Sequence, residues 1–119
     1  MSVILIADDD QDVLDCLQMV LGESHEIIGV TNGEEAVAQA KARPFDLIVL
    51  DLMMPLLSGG EVVRQLRAEG VRAPIMIASA ADDLHRRAME LDVAAHITKP
   101  YDFADFERKI VQILARSTL

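Results

Sequence analysis

The sequence predicts an α/β fold in which a parallel sheet is covered by helices on both faces. Short apolar runs of strand character recur along the chain, and each is followed by a stretch whose apolar residues repeat at helical spacing. The middle run, Leu47-Ile48-Val49-Leu50, is apolar without alternation, as a strand buried on both faces requires. It stops on an acid, Asp51, and Pro55 keeps the strand from continuing. An aspartate there either caps the following turn or faces the crevice where open α/β sheets bind ligands.

The elements follow in order. Val3 to Ala7 is an apolar strand that Asp8-Asp9-Asp10 breaks. From Gln11 or Asp12, the residues Val13, Leu14, Leu17, Val20 and Leu21 recur at helical spacing, and Gly22 stops the helix. Glu26 to Val30 is the second strand, and Thr31-Asn32-Gly33 leads to a helix over Glu34 to Arg43 with Ala36, Val37 and Ala40 inward. Pro44 closes it. After the central strand, Asp46 to Leu50, Ser58-Gly59-Gly60 opens a helix that buries Val62, Val63 and Leu66 and ends near Gly70. Ile75 to Ala78 is the fourth strand, and Asp82-Asp83 opens a helix carrying Leu84, Ala88 and Leu91. Ala95 to Thr98 is the fifth strand. The last helix, about Phe103 to Ala115, presents Phe103, Phe106, Ile110, Ile113 and Leu114 on one stripe. Arg116 to Leu119 reads as a tail.

Composition narrows the class. The 119 residues are 51% hydrophobic and 26% charged, which suits one globular domain spanning 1-119 rather than a disordered chain. No apolar run approaches the roughly 18 residues that span a bilayer, and Met1-Ser2 carries no basic leader. A cytoplasmic location with no membrane partner is the expectation. The single Cys16 excludes an internal disulfide and, lying among Val13, Leu14, Leu17 and Val20, reads as a small core residue. The net charge of −9 and the lack of Trp argue against direct nucleic-acid binding.

Right-handed crossovers bring the carboxyl ends of all five strands to one edge. Asp8 and Asp9 follow the first strand, Asp51 the third, Ser79 the fourth and Lys99 the fifth. Each has a bland reading: a cap, a turn residue, a surface charge. Together they do not, because clustered carboxylates repel by about 4 kcal/mol per 4 Å pair at an effective dielectric near 20. A hard cation with oxygen ligands relieves this, and Mg²⁺, with Mn²⁺ as the alternative, is the expected ion. A metal beside an ammonium and a hydroxyl makes a site for a phosphoryl group.

The stretches Ile4-Leu5-Ile6-Ala7-Asp8-Asp9-Asp10, Leu47 to Pro55 with Gly59, Pro74 to Ala80 and Ile97-Thr98-Lys99-Pro100 resemble the receiver domain of two-component response regulators, over essentially the whole chain. The resemblance implies a flavodoxin-like (βα)5 sandwich with strand order 2-1-3-4-5. It implies that Asp51 is the phosphoacceptor, Asp9 a direct Mg²⁺ ligand, Asp8 the acid holding the metal's water, and Met53 a backbone-carbonyl ligand. Lys99 would pair with phosphoryl oxygens, Lys99-Pro100 would be cis, and Ser79 would move to bond the phosphoryl. The phosphodonor would be a phosphohistidine on a sensor histidine kinase or histidine phosphotransfer protein. The output, through a downstream protein or domain, would be conformational rather than enzymatic, from a monomer or weak dimer.

Departures from the family pattern are specific. His96 stands where an aromatic switch residue is common, and an imidazole there responds to pH as Phe does not. Ala94-Ala95 replaces the acidic pair of many DNA-binding regulators, so that dimer mode is not carried over. Asp92 replaces a usual Gly, Ser58 a frequent Asp, and Asp10 is a third acid placed to support the next helix. Two rival readings are a Mg²⁺-dependent phosphohydrolase of haloacid dehalogenase type and a receiver-like binding module that is not phosphorylated. The first wants an acid two residues after its nucleophile, where Met53 stands. The second would normally lack Asp51, Asp9 or Lys99.

Overall fold

In the computed structural model, which describes residues 1–117, five strands alternate with five helices. They are β1 (Ser2–Ala7), α1 (Gln11–Leu21), β2 (His25–Val30), α2 (Gly33–Ala42), β3 (Leu47–Leu50), α3 (Gly59–Ala68), β4 (Ile75–Ser79), α4 (Leu84–Glu90), β5 (Ala95–Thr98) and α5 (Phe103–Ser117). All strand pairs are parallel and the order is β2-β1-β3-β4-β5, the flavodoxin-like arrangement.

Alternation along the strands sorts the core into two halves. Leu5, Ala7, Ile48, Leu50, Ile75 and Ile77 point to the face covered by α2, α3 and α4. Ile4, Ile6, Leu47, Val49, Met76 and Ala78 point to the face covered by α1 and α5. The three central strands are therefore buried throughout from Ile4 onward, which is why Leu47 to Leu50 shows no polar alternation.

The helix faces differ in detail from the sequence expectation. In α1 the buried stripe is Leu14, Leu17 and Leu21. At about 100° per residue, Cys16 lies well round the helix from that stripe and is exposed, not a core residue. Val20, also expected inward, is 42% exposed. In α5, Phe106, Ile110 and Ile113 are buried, whereas Phe103 is exposed and meets Tyr101 edge-on at 6.1 Å. Leu91 ends α4 as its C-cap, and α4 begins at Leu84 rather than at the acid pair. Asp83 does not cap it; its carboxylate goes to Arg86 at 2.7 Å. Arg116 and Ser117 continue α5, so the tail expected from Arg116 is helical at its start, and its last two residues lie outside the described range. No helix among the described residues is long and apolar enough to cross a membrane.

Candidate functional site

The register of the sheet places the acids. Ala7 pairs with Leu50, and the amide of Asp51 donates to the Ala7 carbonyl at 3.1 Å, so one step further Asp8 stands beside Asp51. Ser79 pairs with Thr98, and the amide of Lys99 donates to the Ser79 carbonyl at 2.9 Å, which starts Lys99 on its way across the strand ends. The Lys99–Pro100 bond is cis.

The side chains converge there. Asp8, Asp9 and Asp51 can bring one carboxylate oxygen each within 4.8 Å of the others. Asp8 and Asp51 are buried and Asp9 is exposed. Lys99 Nζ donates to Asp51 Oδ2 at 2.8 Å and also to Asp8 Oδ2. Burial alone would lower the Lys99 pKa, but the hydrogen bonds and charges of Asp51 and Asp8 outweigh it and hold it above 10.5. Ser79 is fully buried; its Oγ accepts from the Ala81 amide at 3.3 Å, leaving the hydroxyl proton to donate elsewhere. Tyr101 stacks on Phe106 at 4.8 Å between centroids, and burial holds its phenol above the usual range despite the nearby Lys99 charge.

The other oxygens of Asp51 and Asp8 are held by backbone. Asp51 Oδ1 accepts from the Met53 amide at 2.9 Å, and Asp8 Oδ1 from the Asp10 amide at 2.9 Å. Asp51 thus satisfies both readings of a strand-end acid, since it closes its turn and faces the crevice. Asp10 is not part of the site: it caps α1 by accepting from the Asp12 amide at 2.9 Å.

The loop after Asp51 is fixed at its far end. Ser58 and Glu61 form a reciprocal capping box on α3. Gly59 lies so close beneath the site that a Cβ there would sit 2.3 Å from the Asp51 carbonyl oxygen. Leu56, at φ 71°, takes the left-handed turn between them, a strained conformation for a side chain of its size. The Ser-x-x-Glu spacing was legible in the sequence, but its part in anchoring the Asp51 loop was not.

The acidic trio fits a divalent cation. Three carboxylates against one ammonium leave a local charge of −2 when all are ionised, and Asp9 has no hydrogen-bond partner among the described residues. Met53, the expected backbone ligand, is beside them, with its side chain turned out to solvent at 60% exposure. His96, on β5, is half-buried and away from the acids. It faces His85 on α4, with Nδ1 of His85 and Nε2 of His96 3.3 Å apart. Asp92, where a glycine is usual, is tied down instead: Arg67 reaches its carbonyl at 3.0 Å and its carboxylate at 3.4 Å.

Comparison with known proteins agrees with this geometry. A family model described as the response regulator receiver domain matches residues 4–111. Over 119 residues the chain is 35% identical to the alkaline phosphatase synthesis transcriptional regulatory protein PhoP of Bacillus subtilis, covering 98% of this chain and 50% of that protein. The chain spans about half the length of the curated relatives it matches. Among solved structures, the receiver domain of a Francisella response regulator superposes with a TM-score of 0.92 at 24% identity, covering 98% of this chain and 99% of that one. The response regulator TrrA of Thermotoga maritima, in complex with Mg(2+)-BeF, superposes with a TM-score of 0.84 at 28% identity, covering 95% of this chain and 99% of that one. With the family model spanning nearly the whole sheet and its strand-end acids, the chain belongs to the receiver domains of the response regulators.

Proposed function

We propose that this receiver domain accepts a phosphoryl group on Asp51 and relays the event as a change of conformation at Ser79 and His96. The observation that carries the reading is the seat of Asp51: a buried carboxylate at the end of β3, held by the Met53 amide on one oxygen and by Lys99 on the other. The donor is a phosphohistidine on a sensor histidine kinase or phosphotransfer protein. An Asp51 oxygen bonds to phosphorus as the P–N bond breaks, and the imidazole leaves with its electron pair and takes up a proton. Water later cleaves the aspartyl phosphate, releasing phosphate and restoring the carboxylate.

Asp8, Asp9 and the Met53 carbonyl, with Asp51, are the residues that would hold Mg²⁺. When bound, the ion supplies positive charge against the phosphoryl oxygens. Lys99 supplies the chain's own share of that charge. To meet the phosphoryl it must slacken its hold on the Asp8 and Asp51 carboxylates, which a metal would make easier by taking over their charge. Ser79 lies two residues beyond Ile77, which pairs with Leu50 just before Asp51, and has a proton to donate. Its movement would open space beside β5 for His96 to turn inward.

The haloacid-dehalogenase alternative has no acid where it needs one, because Met53 stands two residues after Asp51 with its side chain in solvent. The test is intact-mass analysis after incubation with a small phosphodonor and Mg²⁺. One base-labile phosphoryl group is expected on the wild type and none on Asp51→Asn, an isosteric change that leaves the fold intact. A mark retained by Asp51→Asn, or repeated turnover of phosphate esters, rejects the reading.

A further inference from the structure

Away from the acidic edge, two imidazoles from different elements face one another. His85 is in the first turn of α4 and His96 is the second residue of β5. Their rings meet edge-to-face, with centroids 5.1 Å apart and planes at 60°. Nδ1 of His85 and Nε2 of His96 are 3.3 Å apart, the spacing of a hydrogen bond that uses one proton. Among the described residues neither ring has a carboxylate partner: Asp83 and Glu90, the acids of α4 and its cap, are engaged by Arg86.

We propose that His85 and His96 form a binding site for a borderline divalent cation of the Zn²⁺ and Cu²⁺ class, which staples α4 to β5. Two nitrogens bound to zinc at about 2.0–2.1 Å with tetrahedral angles lie about 3.3 Å apart. The pair already has that separation, so the ion takes the place of the shared proton, which moves to the far nitrogen of its own ring, and the rings need only turn their lone pairs toward one point. Imidazole donors select zinc, copper or nickel, whereas Mg²⁺ prefers the oxygens of the acidic trio. Water fills the remaining positions, since among the described residues the only group of three or more metal-binding side chains is Asp8, Asp9 and Asp51. The chain therefore carries two cation sites of different chemistry at two places in the fold.

The staple has a consequence that rests on the switch reading above. His96 pairs in register with Ile77, two residues before Ser79, and holding its ring against α4 opposes the inward turn. Cation binding at the histidine pair and phosphorylation at Asp51 then weaken one another by the same factor.

The test uses tag-free protein saturated with Mg²⁺, so that the carboxylates are occupied, and titrates Zn²⁺ by calorimetry and by NMR of the histidine rings. One equivalent is expected to bind, with both the His85 and His96 ring signals moving together. Losing even an outer partner of a metal-bound histidine costs about 10- to 100-fold in affinity. His85→Gln and His96→Phe should each lower the affinity by at least about tenfold, while His25→Gln leaves it unchanged. Affinity that survives both single histidine substitutions, or falls only with Asp9→Ala, overturns the site. The coupling is read separately, as the change in Zn²⁺ affinity when a beryllofluoride mimic occupies Asp51. An unchanged affinity with the mimic bound overturns the coupling and leaves the site standing. Failure to take up the mimic rejects the phosphoacceptor reading of Asp51 instead.

Discussion

Lys99 Nζ lies 2.8 Å from Asp51 Oδ2, and the same nitrogen also donates to Asp8. The fold therefore supplies one cation to two buried acids that stand side by side in register. Removing it should be costly, because breaking a buried pair leaves uncompensated charge. In chelator, Lys99→Ala should lose about 3 kcal/mol, the low end for a buried pair because the Lys99 side chain keeps one-fifth of its exposure. Urea unfolding measures this. A loss below about 1 kcal/mol, typical of surface pairs, would mean that the acids do not depend on Lys99.

Mg²⁺ should stabilise the wild type for the same electrostatic reason. An ion at about 100 times its dissociation constant adds about 2.7 kcal/mol. Thermal melts with and without saturating Mg²⁺ should separate clearly, and Asp9→Ala should shrink the separation by removing the exposed carboxylate of the proposed metal site. An equal shift in Asp9→Ala would place the ion elsewhere.

The strand ends made most of this edge legible in the sequence. Buried parallel strands read as plain apolar runs, so the first polar residue after each run marks the crevice, and Asp8, Asp51 and Ser79 are the three buried polar residues there. Helix faces were less legible, because a stripe that includes every apolar residue overstates the buried face. Cys16, Val20 and Phe103 look apolar in sequence and are exposed in the fold. The His85–His96 pairing had no local signal, since α4 and β5 are brought together only by the crossover between them.

Gly59 tests how tightly the Asp51 loop is built. A Cβ there would meet the Asp51 carbonyl oxygen at 2.3 Å, its carbon at 2.9 Å and Leu52 Cα at 3.0 Å, all of them backbone atoms that cannot swing aside. Gly59→Ala should destabilise by about 1–3 kcal/mol and slow phosphorylation, because the displaced backbone carries Asp51, the proposed nucleophile. Gly60→Ala is the control. Its nearest neighbour would be 3.8 Å away, and alanine is favoured over glycine in a helix by up to about 1 kcal/mol. Equal effects of the two substitutions would show that the close approach at Gly59 is unimportant.

The last prediction concerns protons on His96. Burial lowers its pKa below 6.5, and the neighbouring His85 on α4 and Lys109 on α5 lower it further. The folded state thus prefers the neutral ring, while in the unfolded chain the ring protonates near its ordinary value. As pH falls through 6.5 the unfolded state takes up a proton that the folded state does not, so stability falls with it. The loss continues down to the lowered folded-state pKa and then levels off. Urea midpoints in chelator, compared between pH 7.5 and pH 6, should therefore drop further for the wild type than for His96→Phe. The difference between the two proteins is the measurement, because they share every other ionisable side chain. A drop of equal size in His96→Phe would mean that His96 stays as easily protonated in the fold as outside it. In that case neither its burial nor the neighbouring His85 and Lys109 would govern its protonation.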